Sequence, residues 1–565
     1  MRIERFLATV LAACFIGLAG CSNVPTAGPV GVIPASEGEV DADAPIFAPE
    51  GPAPGAAPEL ILRGFITAGT GAGDGYQVAR QFLTADLAGT WQPEERVVLF
   101  SGDPRVEPRE AEGVYQIQLE TTGVIDAAGL RTNSPAPAAE TLAVRMEQVE
   151  GQWRIAEIPD GIMLAQSAAQ ELLISHSLYF YSSDYRYWVP DARWFVRRTG
   201  IPARVVSTML AGPAPYLQGS VTSAFPEGVT LARESVPITS GTATVELSAE
   251  VLDGATDLSL QQMNQQLQVN LLGLNDVTVV EMRSGQPIQL SSTSPDLVVP
   301  ELTVDVGAEQ VAVAGGELVR VRDGSIVPIE GLESVANLEP RDPAMSISGS
   351  AYAFLEGDRT TLQVTAPGSQ VRGVVTGSGL TQPSFDPGNW VWTTRTAGGR
   401  SEVLAVPPGG SDDNASVLEA AWLGDRTIQE LRVSRDGSRA LLVADRNGSS
   451  EILIAGITRS ADGAPRSLAT PLVLWTADDI DTAAWAGLST VVASTVGAGE
   501  EATPVVLQLD GSQQRMAPLD DILAISAGSD AEDAFYAQAG STLYRRINNS
   551  WVDEQVDVRD PAFPG

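Results

Sequence analysis

The chain has 565 residues, a formal net charge of −36 and a 44% hydrophobic content. All 35 of its basic residues are arginine and His176 is its only histidine. This excludes a Walker A loop, Schiff-base chemistry, any zinc site with two histidine ligands, and binding to nucleic acid or an anionic leaflet through bulk charge.

The chain opens with Arg2 and Arg5 followed by an apolar run from Phe6 to Ala19, too short to span a bilayer comfortably and ending in small residues. Leu18-Ala19-Gly20-Cys21 resembles a bacterial lipobox. Residues 1–20 therefore read as a lipoprotein signal peptide, cut between Gly20 and Cys21. The lipobox resemblance implies that Cys21 becomes an N-palmitoyl, S-diacylglyceryl cysteine; two acyl signals anchor far more firmly than one. Cys14 lies within the leader, so the processed chain keeps a single cysteine and has no disulfide framework.

Residues 21–58 are rich in proline, alanine and acid and cannot bury enough apolar surface to fold. They read as a disordered tether with an end-to-end distance of roughly 35 Å. Residues 59–165 read as an α+β domain. Its helical segments around Phe65 and Phe82 are broken by Gly69–Gly75, and strands follow at 96–100, 113–121, 141–149 and 153–157. Glu150-Gly151 marks a hairpin. The glycine run lacks the G-x-G-x-x-G spacing and reads as a turn.

Residues 166–200 form an aromatic and arginine-rich connecting segment, with eight aromatic residues between Tyr179 and Phe195. Tyr185, Trp188, Arg193, Trp194 and Arg197 are its candidates for partner binding, because interface hot spots favour aromatic rings and arginine. The same residues equally suit a core between two domains. Residues 201–290 read as a second α+β domain, with helices near 204–210 and 260–272 and strands near 243–247 and 277–282. Residues 300–565 read as short strands joined by turns. Imperfect repeats beginning at Ser346, Ser384, Ser434, Ala483 and Ile525 are consistent with an all-β propeller of about six blades. The acids Asp478, Asp479 and Asp481 cluster in sequence, but nothing supplies a matched acid and base, so no catalytic residue, cofactor or metal site is assigned.

Taken together, these features resemble the LpqB lipoproteins of actinobacteria. The likeness rests on the lipobox, the tether, and Val189-Pro190-Asp191-Ala192-Arg193-Trp194. It also rests on Leu210-Ala211-Gly212-Pro213, Phe225-Pro226-Glu227-Gly228 and Val245-Glu246-Leu247-Ser248, which are similar to GerMN modules. Ser434-Arg435-Asp436-Gly437 is similar to TolB-type blades. The resemblance implies a lipid-anchored protein on the extracytoplasmic face of the cell membrane, without enzymatic activity. It would bind the extracytoplasmic domain of the sensor kinase MtrB and modulate MtrA–MtrB signalling in cell-wall metabolism and division. A cell-wall glycan is the alternative partner, with Trp390, Trp392, Trp475 and Trp485 as candidate platforms.

Overall fold

The computed structural model describes residues 49–198, 200–291, 294–495, 502–528 and 535–565. The leader, Gly20, Cys21 and most of the tether lie outside the described residues. The end of the expected tether is packed rather than free: Gly55 N donates to Gln152 Oε1 at 2.6 Å, and Ala56 rests on the first core.

The first domain begins with helix α1, Pro58–Ala68. Pro58 suits the first turn, where its missing N–H costs nothing, and Glu59 complements the positive end of the helix dipole. Ile61, Leu62, Phe65 and Ile66 form its buried stripe. The helix covers a five-stranded sheet made of β1 (Arg96–Pro108), β2 (Val114–Asp126), β3 (Arg131–Val149), β4 (Gln152–Glu157) and β5 (Ile162–Ala165), in the order β4-β3-β2-β1-β5. The β3–β4 turn falls at Glu150-Gly151, both with positive φ, as a tight hairpin requires. Strand β3 runs ten residues further upstream than its apolar pattern indicates. Its register against β2 slips between Thr121↔Ala138 and Gly123↔Asn133. Strand β5 pairs in parallel with β1.

The expected connecting segment is a hairpin, not a linker. After a short helix, Gln166–Leu172, strands β6 (Leu173–Ser182) and β7 (Trp188–Val196) pair along their whole length. Leu173 and Val196 enter the core of the first domain, while Ile174, Leu178, Phe180 and Phe195 enter the second. Val189 and Ala192 join the core shared with the propeller. Alternation along two paired strands thus distributes side chains to three cores. The second domain adds α2 (Ile201–Leu210) and α3 (Asp257–Leu271). Strands 242–246 and 279–284 are parallel, and α3 lies in the crossover between them. Thr256 and Ser259 close a capping box at the start of α3. His176 Nε2 meets the main-chain oxygen of Asn270 at 3.1 Å, tying the hairpin to this helix.

Among the described residues, those between 310 and 562 build six antiparallel sheets. The innermost strands, 341–345, 384–385, 427–433, 482–485, 522–527 and 559–562, touch one another in closed cyclic order. This is a six-bladed propeller. Its first blade takes its inner strand from the end of the chain, where 559–562 pairs with 310–314. The Ser-started repeats are correct in two blades and displaced in one. Ser346 and Ser434 each accept main-chain N–H groups in the turn after an inner strand, from Ala351 and Arg439 respectively. In the third blade that position belongs to Asp386, which accepts from Trp390 N. Ser384 sits on the inner strand itself and accepts from Val433 N of the next blade.

At one mouth of the ring, Asp342 and Asp560 both adopt positive φ, and Asp342 N donates to Asp560 Oδ2 at 3.2 Å. Burial, opposed by Arg359 and reinforced by Asp560, pushes the Asp342 carboxyl up to about 6 from 3.8. A carboxylate raised in the folded state binds its proton more tightly there than in the unfolded chain. Its contribution to stability is therefore present at low pH and is lost as pH rises through the interval between the two values. Asp342→Asn is expected to remove this slope, amounting to about 2 kcal/mol between pH 4 and 7. Urea unfolding of both proteins across that range checks it, and parallel curves would refute it.

Candidate functional site

The residues singled out for partner binding lie in the turn before β7 (Tyr185), on β7 (Trp188, Arg193, Trp194) and just after it (Arg197). Trp188 and Arg193 are 5% and 2% exposed, which corrects the expectation that they face a partner. Trp188 stacks on Tyr181 at 4.2 Å, and Tyr181 stacks on Tyr185 at 4.9 Å. The Tyr181 hydroxyl donates toward Gln262 O and Gln265 Oε1 of α3, and burial pushes its pKa up. The stack therefore fixes the hairpin to the second domain.

Arg193 forms a bidentate pair with Asp191, with both contacts at 2.8 Å. It also donates from Nη1 to Ala128 O at 2.6 Å, in the tip of the β2–β3 hairpin. Asp191 accepts in addition from Ala214 N at 2.8 Å. Burial works against the Arg193 charge, but the hydrogen bonds and charge of Asp191 outweigh it and raise its pKa. Gly129, with φ +80°, lies at the closest approach: a Cβ there would come 2.7 Å from Trp194 O. Trp194 is half-buried. Its Nε1 donates to Asp510 O of the propeller at 2.7 Å, and Arg131 lies over its ring. Asn133 Nδ2 reaches Gly511 O beside it. Arg197 donates from Nε to Leu173 O within the hairpin.

The structure thus brings Arg193 and Trp194 to the junction of three domains and leaves only the turn exposed. There Tyr185 is half-buried and Asp184 and Arg186 are exposed. Glu301 N donates to Arg186 O and Trp188 N donates to Glu301 O, laying residues 297–302 beside the turn. Val298, Val299 and Leu302 are 42%, 76% and 46% exposed, so this strip is an apolar surface. Sequence reasoning missed it because a short Val-Val-Pro run reads as linker.

The same junction holds a second buried pair from the TolB-like turn. Asp436 and Arg439 meet at 2.5 Å with side chains 1% and 0% exposed, and Arg439 lies over Trp485. Asp191 is within electrostatic reach of Tyr216, as are Arg439 and Asp436, and burial pushes the Tyr216 hydroxyl well above its ordinary range. The tryptophans considered for glycan stacking divide: Trp392 and Trp485 are core residues, 0% and 4% exposed, and Trp390 and Trp475 are half-buried. Asp478, Asp479 and Asp481 lie on an exposed loop. Among the described residues, no group of three or more acids, histidines or cysteines is arranged to hold a metal, and no helix is long and apolar enough to cross a membrane.

Three family models match the chain in succession. The model described as the N-terminal domain of lipoprotein LpqB covers residues 51–170, a sporulation and spore germination domain (Germane) covers 177–286, and the LpqB beta-propeller domain covers 316–564. The sequence is similar to lipoprotein LpqB of Streptomyces coelicolor, 26% identical across 97% of this chain and 96% of that protein. It is also similar to lipoprotein LpqB of Cutibacterium acnes, 27% identical across 80% of this chain and 79% of that protein. Likeness to solved structures is slight. A puromycin-hydrolyzing peptidase of Mycobacterium tuberculosis overlaps 45% of this chain and 48% of its own length, with a TM-score of 0.29 and 14% identity.

Proposed function

Because this chain belongs to the LpqB lipoprotein family of actinobacteria, we propose that it is a non-catalytic binding protein, lipidated at Cys21 and held on the extracytoplasmic face of the cell membrane. There it engages the extracytoplasmic domain of the sensor kinase MtrB and biases MtrA–MtrB signalling. The observation that carries this reading is the unbroken succession of the three matched domains, 51–170, 177–286 and 316–564. An anchored protein meets a membrane-bound partner at high effective concentration, so modest intrinsic affinity is enough. It shifts the kinase only to the extent that it binds one signalling state more tightly than the other.

With Arg193 and Trp188 committed to the interior, the contact is assigned to the strip formed by Tyr185, Arg186, Val298, Val299 and Leu302. These residues combine an aromatic ring, an arginine and exposed apolar surface, as interface centres do. The test is binding of the full-length protein in detergent to the purified extracytoplasmic domain of MtrB in a surface assay. Saturable binding, weakened about tenfold by Val299→Asp without a change in melting temperature, is the expected result. No saturation with both proteins folded would sink the kinase reading. Retention on purified cell wall would then favour the glycan reading.

A further inference from the structure

A cavity on the axis of the ring touches every blade, through Ala344, Pro383, Val433, Ala484, Ile525 and Ala562. Phe563, Pro564 and Gly565 line it as well and leave about 40 Å³ open, room for a few waters at most. These three residues pair with no strand, because the inner strand of the first blade ends at Ala562. Each is held instead by a main-chain hydrogen bond to a different blade. Phe563 N donates to Ser526 Oγ of the sixth at 3.1 Å, and Gly565 N donates to Met345 O of the second at 3.0 Å. Between them, Pro564 O accepts from Arg435 Nε of the fourth at 3.1 Å. Arg435 gives its other bonds to Ala527 O at 2.6 Å and Gly528 O at 2.8 Å, so among the described residues it is met by main-chain carbonyls alone.

The surroundings of the three residues set what the cavity accepts. Phe563 is buried, with its ring 5.7 Å from that of Tyr536. Proline fixes its own φ, so the segment is partly ordered before it docks. Gly565 has φ +118°, a region open to glycine and rarely entered by other residues. A Cβ there would also come 3.3 Å from Arg435 Cγ. Along the main chain the contacts therefore run N–H, C=O, N–H, with a ring pocket at the first position and no place for a side chain at the third. Extended peptides are recognised in this way, main-chain bonds giving affinity and a side-chain pocket giving specificity.

We propose that the propeller axis is a binding site for peptide segments of the order aromatic-Pro-Gly, and that residues 563–565 occupy it in cis. Attachment to the preceding strand gives this occupant an effective concentration on the order of millimolar or more, so weak intrinsic affinity keeps the site filled. A segment of another protein enters only by displacing it. The site is separate from the strip assigned to the kinase and does not rest on that reading.

The probe is the capped peptide acetyl-Phe-Pro-Gly-amide, titrated by calorimetry into the full-length protein, its Phe563→Ala variant and a chain ending at Ala562. Saturable binding to the two altered proteins is expected, with a rise in their melting temperatures, and binding about tenfold weaker or undetectable in the unaltered protein, whose site is filled. The reversed peptide acetyl-Gly-Pro-Phe-amide should bind about tenfold more weakly, since it offers neither the ring nor the glycine in its place. Ser526→Ala, added to Phe563→Ala, should weaken binding of the forward peptide by up to about tenfold through loss of one hydrogen bond. The Phe563→Ala variant keeps the whole chain and serves if the shortened one aggregates. If both are unfolded at the assay temperature, recovery of cooperative melting on adding the forward peptide is the expected result. No saturation of either variant and no such recovery, equal binding to the unaltered protein, or equal affinity for the two peptides would overturn the site.

Discussion

A chain ending at Val558 is expected to lose cooperative unfolding of the propeller and to aggregate. The missing residues form the inner strand of the first blade, 559–562, which pairs with 310–314 and touches the inner strands 341–345 and 522–527 on either side. Removing it opens the ring and exposes unpaired N–H and C=O groups along the 310–314 strand, a template for edge-to-edge association. The last three residues add a plug. Phe563 is 7% exposed and packs on Tyr536, Phe563 N donates to Ser526 Oγ, and Gly565 N donates to Met345 O. Arg435 donates from Nε to Pro564 O and from its other nitrogens to Ala527 O and Gly528 O, and burial lowers its pKa to about 10. Loss of one buried phenylalanine alone costs about 3–5 kcal/mol, and the strand adds to it. A chain ending at Ala562 keeps the strand without the plug and should fall between the two. Thermal unfolding followed by circular dichroism, with light scattering, gives the answer. Wild-type melting of the shorter chain would mean that the ring closes without its terminal strand.

What was legible in the sequence follows from how locally each element is specified. Strands β1, β2 and β4, the turn at Glu150-Gly151 and helix α3 announce themselves through alternation, turn chemistry or an apolar stripe, but β1 and β2 run on to Pro108 and Asp126, and α3 starts earlier than its stripe, at Asp257 behind the Thr256 cap. The propeller was visible as a period, because each blade repeats one inner-strand turn. Strand β5 was not visible: Ile162-Met163-Leu164 is buried at three successive positions, and a short strand covered on both faces shows no alternation. The displaced repeat at Ser384 has a related cause, since Ser384 and Asp386 are both buried hydrogen-bond acceptors two residues apart. The candidate site was the least legible part. Aromatic rings beside arginines serve partner surfaces and interdomain cores alike. In the hairpin the choice is made by Asp510 and Gly511, more than three hundred residues away in sequence.

Asp191→Ala is expected to destabilise the protein by about 3–5 kcal/mol, the cost of stranding a buried charge by deleting its partner. Asp191 and Arg193 lie two apart on β7, so both project to one side of the strand, and their side chains are 0% and 3% exposed. The pair fastens the β2–β3 tip through Ala128 O and the turn after α2 through Ala214 N. The alanine variant therefore leaves Arg193 without a counter-charge and Ala214 N without an acceptor. Arg193→Met should cost a similar amount, since Asp191 is then the stranded ion. The double variant Asp191→Leu with Arg193→Met should lose much less than the sum, because well-packed apolar side chains can replace a buried ion pair at little cost. Guanidinium unfolding of the wild type, Asp191→Leu, Arg193→Met and the double variant measures the coupling, with Asp191→Ala alongside. The same series separates the two roles open to an arginine in this segment. If Arg193 served a partner surface, its loss would weaken partner binding and leave the unfolding midpoint in place. The geometry at the three-domain junction predicts the reverse: the midpoint falls, and any loss of binding follows the fraction unfolded.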